Sequence, residues 1–309
     1  MEVLVTGATG LVGGNVVRAL LGAGHGVSAL VRNAGRAGQL KDRGVRLHEG
    51  DMHEPLSYRP LVERVEAVVH AAQHAPGSKR LGRRAIGQIQ TADAVMTEAL
   101  GDACAEHGRR LVYTSGCFNY GDHGDRWIDE QTPFDPSPLG VGHAREVTAL
   151  LRRHGADGLD VVIVAPGFVY GPGGLFKASF YDQLEQGRLR VIGRGDNYWS
   201  PVHVDDLAAA YVAALERGQA GETYNVVDDA PLRLRELVDR LTAALDRERV
   251  GNVNAVLIGA LIGRPLVRSL VTSFRIRNAK AKRALGWVPR YPSFADGLPS
   301  VLEALRRPG

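Results

Sequence analysis

The chain has 309 residues, 44% of them hydrophobic and 23% charged, with 38 Lys and Arg against 34 Asp and Glu for a net charge of +4. Those proportions belong to a globular chain that can bury one large core, or one core plus a smaller lobe. They exclude a disordered polymer, and with no block of Lys and Arg they give no nucleic-acid footprint.

The first element is a short strand over Glu2–Thr6, running into Gly7, Gly10 and Gly13 and then an amphipathic helix over Leu11–Leu21. Val12, Val16, Ala19 and Leu20 form the apolar stripe of that helix. In this pattern the first glycine permits a tight turn, the second a close approach to a pyrophosphate and the third tight helix–strand packing. The phosphates rest on the unpaired N–H groups near Leu11, at the positive end of the helix. A lone glycine triplet is weak, but a strand before it and a helix after it make the motif specific. It predicts a dinucleotide site with contacts from Gly7, Thr9, Gly10, Leu11 and Val12.

The second strand, Val27–Val31, ends at Arg32 and Asn33, with Arg36 close by and no carboxylate. A site selective for NAD carries an acid here for the ribose 2′-hydroxyl. A guanidinium instead suits a 2′-phosphate, which its planar fork binds bidentately. NADP(H) is therefore expected over NAD(H), with NAD(H) left open. The plainer alternative is that Arg32 stacks on adenine or faces solvent.

Further strands are expected at Val45–Glu49, Ala67–Ala71, Arg110–Ser115 and Leu159–Ala165, with helices over Ala85–His107 and Val141–His154. This alternation implies an α/β fold of Rossmann type, a doubly wound parallel sheet with ligands at its carboxyl edge. After Pro166 the rhythm breaks into loops rich in Gly and Pro, then helices near Asp205–Arg217 and Leu234–Leu245. Residues 1–170, with 203–229 returning, read as the dinucleotide-binding domain. Segments 171–202 and 230–309 read as a smaller C-terminal substrate lobe.

The two cysteines, Cys104 and Cys117, make no disulfide framework, and Cys104 reads as a small core residue. Met1 nearly begins the first strand, so no signal peptide is expected. The most apolar later stretch, 254–263, falls short of the roughly 20 residues needed to span a bilayer. A cytoplasmic protein with no membrane partner is the expectation.

Several segments carry a resemblance beyond the glycine loop. They are Asp51-Met52, His70-Ala71-Ala72, Leu111 to Ser115 followed by Tyr120-Gly121, Pro166 to Pro172, Pro201 to Asp206, and Leu285 to Pro289. In this order the chain resembles the extended short-chain dehydrogenase/reductases, the NAD-dependent epimerase/dehydratase family. The resemblance implies cofactor contacts from Asp51, Met52, Ala71, Ala72, Gln73, Thr114, Ser115, His143, Pro166, Phe168 and Val169.

That family works through Ser/Thr, Tyr and Lys. Tyr exchanges the proton, Lys lowers its pKa and holds the ribose, and Ser/Thr hydrogen-bonds the reacting oxygen. Aligned on its Tyr-x-x-x-Lys pair, this chain reads Ser137 to Ala144, with Leu139 at the Tyr position and His143 at the Lys position. Gly116 falls at the Ser/Thr position, with Ser115 beside it. No other Tyr is followed four residues on by Lys: Tyr113, Tyr120, Tyr170, Tyr181 and Tyr198 all fail. Leu cannot exchange a proton, so this register excludes the usual mechanism.

The remaining catalytic candidates are Ser115, as a polarising hydroxyl, and His143, as a ribose contact or, at an ordinary imidazole pKa, a proton relay. Tyr120 is expected to pack within its loop. His203 with Asp205 and Asp206 reads as a helix cap by Asp and a packed His, and no metal is expected. His74, Gly116, Cys117, Leu139, Phe176, Phe180, Tyr198 and Trp199 fall where the family meets its substrate. With Phe168 they suggest an aromatic wall for a planar apolar ligand, although each alone reads equally well as lobe core.

The leading expectation is an NADPH-dependent ketoreductase acting on an activated aromatic, polyketide-type ketone. The missing triad resembles atypical family members that tailor aromatic polyketide antibiotics, angucyclinone ketoreductases among them. One alternative is a non-catalytic NAD(P)-binding sensor or assembly subunit, with 247–275 as its interaction element. Another is an epimerase or dehydratase using bound NAD. The expected partner is a small molecule, for a monomer or homodimer.

Overall fold

Val3, Leu4 and Val5 have no exposed surface, and neither do Val68, Val69, Leu111, Val112, Val161 or Val162. Such unbroken apolar runs are what a strand covered on both faces requires. The computed structural model describes residues 1–73 and 82–307. Its main sheet holds β1 (Glu2–Thr6), β2 (Gly26–Val31), β3 (Arg46–Glu49), β4 (Ala67–His70), β5 (Arg110–Thr114), β6 (Val161–Pro166) and β7 (Thr223–Val226). All seven are parallel, in the order β7-β6-β5-β4-β1-β2-β3. The order reverses between β1 and β4, which opens a crevice at their carboxyl ends.

The first six strands lie where the apolar pattern places them, within two residues at each end. β7 escapes that pattern because Thr223-Tyr224-Asn225-Val226 is short and half polar. Its burial is made tolerable by partners: Asn225 N–H donates to the Glu130 carboxylate (2.8 Å), and Tyr120 donates to Asn225 Oδ1 (2.9 Å).

Helices α1 (Leu11–Gly22), α2 (Arg83–His107), α3 (Val141–Asp157) and α4 (Val204–Arg217) cover the sheet. Val16, Val17 and Leu20 of α1 pack with Leu207, Tyr211 and Ala214 of α4 on one face. Met96 and Leu100 of α2 pack with Val147 and Leu150 of α3 on the other. An Arg18–Asp205 ion pair ties α1 to α4 at the rim.

The helices α5 (Leu234–Ala244), α6 (Ala279–Leu285) and α7 (Phe294–Arg306) follow. The helix Ala255–Ile262, within the segment 247–275, leaves Val256, Leu257 and Leu261 at least 70% exposed. Phe176, Phe180 and Trp199 join Phe168, Tyr170, Phe274 and Phe294 in a separate aromatic core, where Phe168 and Trp199 lie 4.6 Å apart.

The segment Leu285–Pro289 is clamped onto α4. Trp287 Nε1 donates to the Asp206 carbonyl (2.9 Å), and the Asp206 carboxylate accepts from Arg290 and Tyr291 N–H (2.8 and 2.9 Å). The cap of α4 differs from expectation. His203, not an aspartate, is the capping residue, and its Nδ1 accepts from Asp205 N–H at 3.1 Å. Asp206 is committed to the C-terminal segment and Asp205 to Arg18. Among the described residues no group of three or more His, Cys, Asp or Glu could hold a metal.

The glycine turn is fixed by backbone contact. Gly7 has φ +72°, and a Cβ there would sit 2.7 Å from the Ala71 carbonyl oxygen. A Cβ on Gly13 would lie 2.2 Å from the Gly7 oxygen, and neither neighbour is a side chain that can swing away. Gly13→Ala is therefore expected to lower stability by about 1–3 kcal/mol. Gly87→Ala, in open space on α2, should be neutral or stabilising by up to about 1 kcal/mol. Urea unfolding of both variants checks this, and equal stabilities would contradict it.

Candidate active site

Two adjoining cavities open at the carboxyl edge. The larger, about 760 Å³, is lined by Gly7, Thr9, Gly10, Leu11, Val12, Arg32, Met52, Ala71, Ala72, Gln73, Phe168 and Val169. Trp199, Leu175, Phe118 and Phe274 close its far side. Gly10 caps α1 with no side chain on its first-turn N–H groups, which are left for an anion. An uncapped helix end, a glycine floor and a long groove over the β1–β4 crevice fit a dinucleotide. Arg32 is exposed at the end of β2 and faces this groove.

Of the expected cofactor contacts, Ser115, His143 and Pro166 line the smaller cavity instead, and Asp51 and Thr114 line neither. The Asp51 carboxylate accepts from His53 N–H (2.8 Å) within its own turn, and Gly50 and Met52 line the groove instead. Thr114 donates to the His70 carbonyl (2.8 Å) and accepts from Tyr211 (2.7 Å), so it braces β4 against β5 below the groove.

The smaller cavity, about 340 Å³, lies between β5, α2 and α3. Ser115, Gly116, Cys117, Leu139, His143 and Pro166 all line it, so the structure brings these expected site residues together at one place. Ser115 is buried and its Oγ accepts from Asn119 Nδ2 at 2.8 Å, which leaves its own O–H to donate. Nothing lies within 4 Å of where a Gly116 Cβ would point. Cys117 is buried, and burial pushes its thiol up to about 12, so it stays an unreactive wall.

His143 is suspended between two neighbours. Its Nδ1 lies 3.1 Å from the Tyr113 hydroxyl and its Nε2 3.2 Å from the Gln73 amide. Burial pulls its pKa down to about 4. The ring is thus neutral at pH 7, which corrects the expectation of an imidazole near its ordinary pKa. Tyr113 also reaches the cavity, and burial, then the Glu146 and Asp93 carboxylates, hold its hydroxyl well above the usual phenol range.

Part of the expected aromatic wall is elsewhere. Phe176 and Phe180 line neither cavity, because both fill the lobe core. Tyr198 packs beneath the guanidinium groups of Arg233 and Arg275, 4.5 and 4.9 Å from its ring. Phe168 and Trp199 face the larger cavity. His74 lies outside the described residues.

Sequence reading missed Phe118, Leu175, Phe274, Asp93 and Glu146. Phe118 lies in a one-turn 3₁₀ segment, Leu175 in a three-residue helical turn and Phe274 in a loop, none long enough to carry a periodicity. Glu146 was within reach: it follows His143 by three residues, which puts both on one face of α3. Burial raises its pKa to about 7, with further contributions from Asp93 and Glu98.

Burial also lowers His70 to about 3 and His203 to about 4. In the unfolded chain these rings titrate near 6.5 and bind more protons below it. Folding stability is therefore full above pH 6.5 and falls as the pH drops toward 4. His143 alone contributes a loss of about 2 kcal/mol between pH 7 and pH 5. Urea titrations at the two pH values should show a smaller loss for His143→Gln, and an unchanged loss would contradict a buried neutral ring.

A family model described as NAD dependent epimerase/dehydratase matches residues 3–227. The chain is 33% identical to a 3-diazoavenalumate denitrifying reductase of a Streptomyces species, covering 96% of this chain and 99% of the relative. It is 27% identical to a 4-hydroxy-2-methyl-3-oxo-4-farnesyl-3,4-dihydroquinoline-1-oxide ketoreductase of Stigmatella aurantiaca, covering 98% and 96%. The dTDP-glucose 4,6-dehydratase of Streptomyces venezuelae, solved with NAD bound, superposes with a TM-score of 0.84 at 26% identity, over 99% of this chain and 97% of that one. With 225 consecutive residues inside the family's span and a relative aligned end to end, the chain belongs to the NAD dependent epimerase/dehydratase family.

Proposed function

We propose that the chain is an NADPH-dependent reductase acting on an activated aromatic ketone of polyketide type, without the family's phenolic acid. The observation that supports this reading is one cavity lined by Gly116, Leu139 and a neutral His143, the residues that align with the family's Ser/Thr, Tyr and Lys. When bound, the reduced nicotinamide supplies a hydride. The first turn of α1 holds the pyrophosphate and Arg32 the 2′-phosphate, while Ala71, Ala72 and Val169 wall the groove. Ser115 donates its hydroxyl to the ketone oxygen, and Leu139 and Cys117 keep water from the reacting carbon.

The energetics permit this. Losing a positioned acid costs about 10²–10⁴-fold in rate, roughly 3–5 kcal/mol. Near-attack positioning of the two reactants supplies about 7–11 kcal/mol. A phenolic hydroxyl beside the ketone, which can pass its proton to the developing alkoxide, or a quinone-like ring that spreads the charge, supplies within the substrate what the missing acid would. Epimerisation or dehydration is less well served, because it needs a base where this chain has Leu139.

One observation favours a second substrate class. The relative at 33% identity is named for denitrifying reduction of a diazo compound. An arenediazonium that exchanges N₂ for hydride needs no proton, so a site without an acid suits it equally well.

The test is NADPH oxidation followed near 340 nm with hydroxyanthraquinones, angucyclinones and hydroxyarenediazonium salts. Turnover of one class supports the reading. Tight NADPH binding with no turnover of any would replace it by the sensor alternative. Arg32→Ala should weaken NADPH about 10–100-fold and leave NADH nearly unchanged. Equal losses for both nucleotides would remove Arg32 as a 2′-phosphate ligand.

A further inference from the structure

The smaller cavity has an acidic floor that ketone reduction does not use. Asp93 of α2 and Glu146 of α3 both line it, and no Lys or Arg does so among the described residues. Glu146 is only 7% exposed. Its carboxylate faces the cavity and has no hydrogen bond or ion pair among the described residues. Ile86, Ile89 and Leu139 are among its apolar lining. A family lysine would bring a positive charge to His143's position, but a neutral imidazole stands there. The space vacated by the triad therefore leads from the reacting end of the groove to an unpaired carboxylate.

A buried carboxylate without a partner is costly, and a ligand that brings a positive charge removes that cost. We propose that this cavity is a substrate subsite for a cationic substituent on an aromatic ring, an ammonium or a diazonium group, with Glu146 as its counter-ion. The ring lies between Ile86, Ile89 and Leu139, and the charged group reaches the floor. This rests on the reductase reading only in placing the rest of the substrate beside the nicotinamide. It adds that the substrate is charged as well as aromatic.

The groups acting on Glu146 set the pH behaviour. Arg145 on its own helix lowers its pKa, whereas Asp93 and Glu98 of α2 raise it. Tyr113 and the neutral His143 complete the polar lining. With a carboxyl near pH 7, a bound cation should expel about half a proton at that pH.

The experiment uses the full chain saturated with NADP⁺, so no turnover intervenes. Isothermal titration at pH 8 compares 4-hydroxybenzylamine with 4-hydroxybenzyl alcohol, which share a ring and differ in the charged group. The ammonium probe should bind at least about tenfold more tightly, and Glu146→Gln should erase that advantage while leaving the alcohol nearly unchanged. As a check that does not depend on the variant, titrations at pH 7 in two buffers of different ionisation enthalpy should show proton release with the amine alone. Equal affinities, equal losses for both probes in the variant, absent proton release, or no amine binding at 10 mM would each overturn the proposal. The reductase reading fails separately, through absent NADPH oxidation, and that result leaves these titrations unaffected.

Discussion

Backbone packed on backbone at the first turn is the constraint on which the rest of the structure depends. Gly7 is wedged against the end of β4, and Gly13 against Gly7, with no room at either for a methyl group. This brings the start of α1 directly over the β1–β4 crevice and aims its uncapped N–H groups along the groove. A polar network beneath holds the strand ends in register. Thr6 Oγ1 meets His70 Nδ1 at 2.8 Å and Ala72 N–H at 3.2 Å, and His70 Nε2 meets Thr97 at 3.2 Å. The groove is therefore rigid where an anion would sit, and its position follows from sheet geometry.

The second cavity follows from what the chain lacks. Under the proposed register, Leu139 and His143 stand where the family has Tyr and Lys, which leaves volume and removes positive charge. Burial keeps His143 neutral, and Tyr113 is turned inward onto it. On the proposed reading, chemistry here draws on hydride positioning, one polarising serine and the substrate's own electronics. Glu146 lines the same cavity, so the proposed loss of the family's acid and the proposed subsite for a charged aromatic ring share one structural origin.

The fold was legible because its signals are local. The glycine triplet between a strand and a helix, and five largely apolar runs that must be buried on both faces, need no tertiary information, and β3 follows them as a half-exposed edge strand. β7 was hidden because Asn225 is polar and acquires its partners, Glu130 and Tyr120, from distant segments. The spacing that aligns Leu139 and His143 with the family's Tyr and Lys is also local, and both residues line one cavity with Gly116. What spacing cannot supply is direction. Asp51 turns onto its own loop, Thr114 onto β4, and Phe176 and Phe180 into a core assembled from segments more than a hundred residues apart. His203 caps α4 because its ring nitrogen, two residues ahead, meets the Asp205 amide before any carboxylate can.

The most direct measurement is a crystal structure of the chain with NADP⁺ and a bound aromatic ketone or its alcohol. Pyrophosphate is expected on the first-turn amides of α1, and the reacting oxygen near the Ser115 hydroxyl with Leu139 across the ring. A tyrosine hydroxyl in hydrogen-bond contact with that oxygen and backed by a lysine amine, delivered by a rearranged loop, would contradict it.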